Sequence, residues 1–290
     1  MSPRQRQAEA FRTLKTDGDR VNTTQGYFFI VGCSRSGTTL LSVLIDRHSR
    51  LCVTPETAFF DEVAPLLTNR NDESLINVLA NWSRLCELQI EPEMVRRRLG
   101  TRPEPGDVLA AILDLYALHR GKSRCGEKTP QHLAHIPSIL RHFPNAKVIC
   151  MLRDGRDTSL SLAEMPWWRS GVAEAAELWK QSLRRMEEFQ HKYYERFLVL
   201  RYEDLLASPE QALSGVMEYL GETFEPAQLR SETPSHVVLK RSVEWKGKAL
   251  DPIDFESVGR RRAEARAADL EFLEQALRDD LALYGYEPMG

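Results

Sequence analysis

The segment Phe28-Phe29-Ile30-Val31-Gly32-Cys33-Ser34-Arg35-Ser36-Gly37-Thr38-Thr39-Leu40-Leu41 decides the fold. The apolar run from Tyr27 to Val31 reads as a buried strand. Gly32 and Gly37 frame a loop of small residues, and Thr38 opens a helix with apolar positions at Leu40, Leu41, Leu44 and Ile45. A strand, a glycine-framed loop and a helix start make an anion site, because backbone N–H groups converge there and the helix dipole favours negative charge. The spacing of Gly32 and Gly37 is that of a nucleotide P-loop, but Thr38 stands where a P-loop has lysine. The cation is Arg35, inside the loop. A P-loop NTPase needs that lysine on the transferring phosphates, usually with Mg²⁺. A plain strand-to-helix turn has no use for a guanidinium and two hydroxyls.

Working outward, the chain has 290 residues, enough for one large α/β domain with a sizeable core. Its formal net charge of −3 gives no electrostatic case for nucleic-acid or membrane binding. Residues 1–25 read as a polar arm with one short helix over residues 6–14, without the apolar core of a secretory leader. No apolar run reaches membrane-span length. The five cysteines, Cys33, Cys52, Cys86, Cys125 and Cys150, are scattered without a CxxC pair, which implies reduced thiols and a cytoplasmic protein.

Downstream, short apolar strands at 51–53, 146–152 and 197–200, and a short strand ending in a charged turn over 124–130, alternate with helical stretches. An amphipathic helix is predicted over 59–67, a helical insertion over 72–119, and helices over 132–142, 172–189 and 209–220. Residues 231–250 lack periodicity and read as a loop able to fold over a ligand; 263–281 reads as a final helix. The expectation is a single α/β domain over 26–290, with a mostly parallel sheet flanked by helices. Four polar clusters fall at strand ends, where such sheets bind ligands: Arg35 to Thr39, Lys128, Arg153 to Arg156, and Arg201 with Tyr202.

These residues carry a resemblance to sulfotransferases that use 3′-phosphoadenosine 5′-phosphosulfate (PAPS). The run Ser34-Arg35-Ser36-Gly37-Thr38-Thr39-Leu40 resembles the family's 5′-phosphosulfate loop, in the Arg form of protein-tyrosine sulfotransferases and many bacterial relatives. The stretch from Val148 through Arg153-Asp154-Gly155-Arg156-Asp157 to Ser161 resembles the 3′-phosphate site, with Arg153 and Ser161 gripping one phosphate from two sides. Val199-Leu200-Arg201-Tyr202-Glu203-Asp204-Leu205 resembles the strand before the adenine contacts, and Lys240-Arg241-Ser242-Val243-Glu244-Trp245-Lys246 the closing loop. The resemblance thus implies the P-loop-like sulfotransferase fold, and cofactor contacts from Ser34, Arg35, Ser36, Gly37, Thr38, Thr39, Arg153, Ser161, Tyr202, Arg241, Trp245 and Lys246. It implies PAPS as donor, the bisphosphate PAP as product and no metal.

In-line sulfuryl transfer to a hydroxyl needs a base and cations on the developing charge. Arg35 and Lys128 are the candidate cations, and Glu56, one βα unit after the loop, is the candidate base, paired with Arg35. A helix-start carboxylate is the plain reading of Glu56. His132, near Lys128, is the second candidate base, and His132 with His135 is weak as a metal pair. Arg153 could instead pair with Asp157, Trp167 and Trp168 could be lid or core, and Arg260-Arg261-Arg262 reads as a solvated face. The acceptor is a hydroxyl compound of open class: lipid, sugar, natural product or peptide. A nucleotide kinase or NTPase, and a non-catalytic nucleotide-binding protein, are the competing readings.

Overall fold

The computed structural model describes residues 26–67, 72–239 and 242–288. The predicted helix at 6–14, the arm at 1–25, and Lys240 and Arg241 lie outside them. Five strands form one sheet in the order β2-β3-β1-β4-β5. They are β1 (Phe28–Gly32), β2 (Leu51–Val53), β3 (Arg124–Lys128), β4 (Lys147–Leu152) and β5 (Phe197–Arg201). Every pairing is parallel, with Phe28 opposite Gly126 on one side of β1 and Lys147 on the other. The loops after β1, β3 and β4 therefore leave three neighbouring strands at the same edge of the sheet.

Between the strands run α1 (Thr38–Asp46), α2 (Phe59–Glu62), α3 (Asp72–Asn81), α4 (Ser83–Glu87), α5 (Pro92–Arg96), α6 (Pro105–His119), α7 (Ile136–His142), α8 (Gly155–Ala163) and α9 (Val172–Lys192). After β5 come α10 (Tyr202–Ala207), α11 (Pro209–Leu220), α12 (Val243–Lys246), α13 (Arg260–Glu264), α14 (Ala267–Ala276) and α15 (Arg278–Leu283). Three predicted helices break up. Pro65 interrupts the 59–67 helix, leaving α2 and a 3₁₀ turn at Ala64–Leu66. Pro137 starts α7, so the preceding residues Pro130–His135 are a 3₁₀ turn. The final helix divides twice: extended residues Ala265 and Arg266 separate α13 from α14, and Leu277 separates α14 from α15.

The strict two-residue alternation of a strand sorts β1 between two cores. Phe29 and Val31 pack with Leu109, Ile139 and Trp179 from α6, α7 and α9. Phe28 and Ile30 pack with Leu41, Leu205 and Met217 from α1, α10 and α11. Fully burying such side chains stabilises the fold by roughly 1.5–3 kcal/mol each. The sheet is close-packed at its centre: a Cβ on Gly126 would lie 2.1 Å from the ring of Phe28. Among the described residues, no helix is long and apolar enough to cross a membrane.

Candidate active site

The loop after β1 turns sharply. Arg35 has φ 74° and Gly37 φ 95°, both in the left-handed region, which costs a non-glycine residue such as Arg35 roughly 1–3 kcal/mol. The hydroxyl and N–H of Ser36 both bind the carbonyl of Cys33, at 2.7 and 3.2 Å, and hold the turn. Tyr202 fixes Gly37 from the far side, for a Cβ there would meet its ring at 2.4 Å. No side chain caps α1 and its first turn has no acidic residue, so its N-terminal dipole is uncompensated. Cys33 is no nucleophile, since burial pushes its thiol up to about 12.

Arg35 projects from this loop into the crevice. Its Nε donates to the hydroxyl of Ser161 on α8 at 3.2 Å, and both terminal nitrogens reach the carbonyl of Trp245 at 3.3 Å. Burial lowers its pKa first, then repulsion from Arg153 and Arg261; Glu56 and Glu164 offset this in part. Arginine stays charged through such a shift, so the crevice holds cation in excess. Arg153, at the end of β4, donates to the carbonyl of Arg35 at 3.2 Å and lies 4.5 Å over the ring of Tyr202. Its Nε is buried without a hydrogen-bond partner. Among the described residues no carboxylate pairs with it, and Asp157 is held instead by the N–H of Gly259 and by Arg262. The two expected anion clamps are therefore joined rather than separate, and Ser161 bonds to Arg35.

Glu56 faces the same crevice. Lys128 Nζ lies 2.6 Å and Lys246 Nζ 2.8 Å from its Oε1. Burial alone would raise the Glu56 carboxyl; the two ammonium groups outweigh it and hold the pKa at about 2. The expected partner was Arg35, but the ion pairs are with the two lysines. Nor is Glu56 a helix-start residue: α2 begins three positions later, behind Ala58. The backbone is braced by Arg84, which donates to the carbonyl of Glu56 at 2.9 Å.

Both ring nitrogens of His132, the second candidate base, are engaged inside the fold. It is fully buried. Its Nε2 lies 3.2 Å from the N–H of Phe60 and so accepts from it. Its Nδ1, 2.9 Å from Glu127, must then carry the proton. Glu127 also accepts from the hydroxyls of Thr57 and Thr129 at 2.7 and 2.6 Å. Burial would raise its carboxyl, but these bonds and His132 hold it below the usual value. The network fixes the turn that delivers Lys128. His135 pairs with Asp61 at 2.9 Å, and no cluster of metal-ligating residues is found among the described residues.

The remaining predicted residues divide. Ser34 accepts from Gln131 at 3.4 Å at the loop's rim. Thr38 and Thr39 open α1. Tyr202 is a positioning residue, its ring between Gly37 and Arg153 and its hydroxyl 3.1 Å from Ser257. Residues 242–250 are a short helix and a 3₁₀ turn rather than an open loop. Trp168 and Trp245 pack beside Leu162 and Met165, while Trp167 is 46 % exposed. Arg261 and Arg262 are not a solvated face: they pair with Glu164 and with Asp154 and Asp157. The Glu127 network and the Arg84 brace carried no sequence signal, because their partners are distant in the chain.

The family model described as "Sulfotransferase family" matches residues 28–226. The chain is 25% identical over 264 residues to a protein-tyrosine sulfotransferase of Drosophila melanogaster, covering 85% of this chain and 50% of that protein. It spans about half the length of that relative. Among solved structures it is similar to the sulfotransferase domain of the Synechococcus PCC 7002 olefin synthase, with TM-score 0.60 and 20% identity, over 91% of this chain and 98% of that one. It is also similar to mouse sulfotransferase SULT7A1 complexed with PAP, with TM-score 0.50 and 12% identity, over 89% of this chain and 85% of that one.

Proposed function

The chain belongs to the sulfotransferase family, and from that premise we propose that it moves a sulfuryl group from PAPS to an acceptor hydroxyl. The observation that carries the reading is the pair Arg35 and Arg153. Both line one crevice beside an uncapped helix start, with no carboxylate paired to either among the described residues. Half-buried like charges held together in this way are favoured by an anion between them. A donor with a phosphosulfate at one end and a 3′-phosphate at the other meets that need. The loop from Ser34 to Thr39 would take the first, Arg153 with Ser161 the second and Tyr202 the adenosine side, while Arg241, Trp245 and Lys246 would belong to the loop that closes over the donor.

Glu56 is the proposed base. It accepts the acceptor's proton as the acceptor oxygen bonds to sulfur and the bond from sulfur to the bridging oxygen breaks, leaving PAP. Arg35 and Lys128 would stabilise the charge that accumulates on the sulfuryl and bridging oxygens. This assignment gives each cation a role without a metal. Five free cysteines, four of them buried, suit a reducing compartment and the cytoplasm. We propose the division into a polar arm at 1–25 and a sulfotransferase domain at 26–290.

The test is calorimetric binding of PAP, with ATP and GDP as controls, followed by PAP release from PAPS with a panel of phenolic, sugar, lipid and peptide hydroxyls. Binding of PAP over ATP and GDP, and acceptor-dependent PAP release, are expected. Mg²⁺-dependent ATP hydrolysis without PAP binding would replace this reading with a nucleotide kinase or NTPase.

A further inference from the structure

Helix α1 carries the anion loop at its N-terminus and a second device at its other end. Arg47, directly after α1, is only 5 % exposed. Its Nε donates to the carbonyl of Thr233 at 3.0 Å, and its terminal nitrogen to those of Ser231 at 3.3 Å and Leu250 at 3.0 Å. Beside it, the Asp46 carboxylate accepts from the Ser235 hydroxyl at 2.9 Å and from the N–H of His236 at 2.8 Å. Burial lowers the pKa of Arg47, offset in part by the charges of Glu232 and Asp46, and its hydrogen bonds run to backbone carbonyls. A guanidinium taken out of water and given only backbone carbonyls is a poor stabiliser of a fold. Its geometry serves another end. The carbonyls come from both ends of one segment, residues 231–250.

The described middle of that segment is α12, where the carbonyl of Trp245 meets Arg35 and the ammonium of Lys246 meets Glu56. Ser231, Thr233 and Leu250 lie at the C-terminal end of α1, while Trp245 and Lys246 lie at the site beyond its N-terminal end. Helix α1 has nine residues and is about 13 Å long. It therefore joins clasp and site as one rigid strut. Closing a loop of this length has an entropic cost that the clasp bears away from the chemistry.

We propose that Arg47 is a positioning residue that fastens both ends of the 231–250 segment and thereby sets Trp245 over Arg35 and Lys246 against Glu56. The proposal rests on the sulfuryl-transfer reading for its consequence but not for its geometry.

Two variants test it: Arg47→Met, which keeps bulk and removes the donors, and Arg47→Lys, which keeps charge but lacks the fork. The first readout is hydrogen exchange of the full chain without donor. Exchange should accelerate at least about tenfold in residues 242–250 and stay unchanged in β1, β3 and β4, a contrast of tenfold per 1.4 kcal/mol of opening. This needs no turnover, so it decides the clasp whether or not the chain transfers sulfuryl groups. The second readout is the acid limb of the kcat profile. Glu56 is faced by Lys128 from β3, Lys246 from α12, Arg35 from the β1 loop and Arg84 from α4. Loss of the clasp withdraws Lys246 alone, so the limb should move to higher pH, as in Lys246→Met, and the double variant should add nothing. Unchanged exchange in 242–250, or acceleration spread evenly through the sheet with the limb in place, overturns the proposal. If Arg47→Met does not fold, Arg47→Lys is judged on the same two contrasts.

Discussion

The Arg153 side chain crosses from the end of β4 to the loop after β1 and donates to the backbone carbonyl of Arg35 at 3.2 Å. That bond joins the loop after β1 to the end of β4, while Tyr202 supports both by packing under Arg153 and against Gly37. A change at either arginine is thus felt at the other, but the two point different chemistry at a donor.

The proposed reading sets Arg35 at the reacting end of the donor. Arg35→Ala should lower kcat by about 10²–10³, the range for losing one preorganised charge-stabilising donor, while PAP still binds. Steady-state kinetics with calorimetry separates the two. Turnover within a few-fold of the parent would remove Arg35 from the chemistry.

The same reading sets Arg153 on the remote 3′-phosphate. Arg153→Ala should raise the KM for PAPS about tenfold or more, as for a lost charge-assisted phosphate contact, with a smaller fall in kcat. A variant with normal KM and collapsed kcat would mean that the two ends of the donor are reversed.

The pH dependence follows from Glu56. Its carboxyl is held at about 2 by Lys128 and Lys246 against the opposing effect of burial. A lowered folded-state pKa keeps the base ionised, and its stabilising contribution intact, above the unfolded value near 4.5; both are lost as pH falls toward about 2. The kcat profile should therefore show no limb from Glu56 between pH 5 and 4. Lys246→Met should bring one toward that range. Glu56→Gln should lower kcat by about 10²–10⁴ at every pH. An unchanged rate would assign the proton to another group.

His132 supplies the control. His132→Asn keeps a donor toward Glu127 but leaves the N–H of Phe60 unsatisfied, which should cost about 1–3 kcal/mol in urea unfolding. The acid limb should stay where it is. A shifted limb would return His132 to the chemistry.

Gly37→Ala tests the support beneath the loop. The added carbon meets the Tyr202 ring at 2.4 Å and the backbone has φ 95°, so about 1–3 kcal/mol of stability should be lost. PAP affinity should fall with it. Pairing with Tyr202→Leu should recover part of the stability, and no recovery would place the strain elsewhere.

Local pattern alone made much of this readable. The apolar run before Gly32, the glycine-framed loop and the alternation of strands and helices specify a parallel sheet with its polar clusters at one edge, because strand and helix periods are properties of neighbouring residues. Arg35, Lys128 and Arg153 were legible for that reason: each ends a strand, or follows one, at the rim. Pairing across the chain was not legible. Glu56 holds Lys128 and Lys246 rather than Arg35, and Ser161 bonds to Arg35, 126 positions away. His132 read as a candidate base until packing placed one nitrogen against an N–H and the other against Glu127. Which carboxylate meets which cation, and which histidine is silenced, depends on how helices and loops pack over the sheet. Sequence by itself determined the scaffold and where its charges cluster; only the tertiary structure decided which of them touch, since a hydrogen bond acts over about 3 Å whatever the separation along the chain.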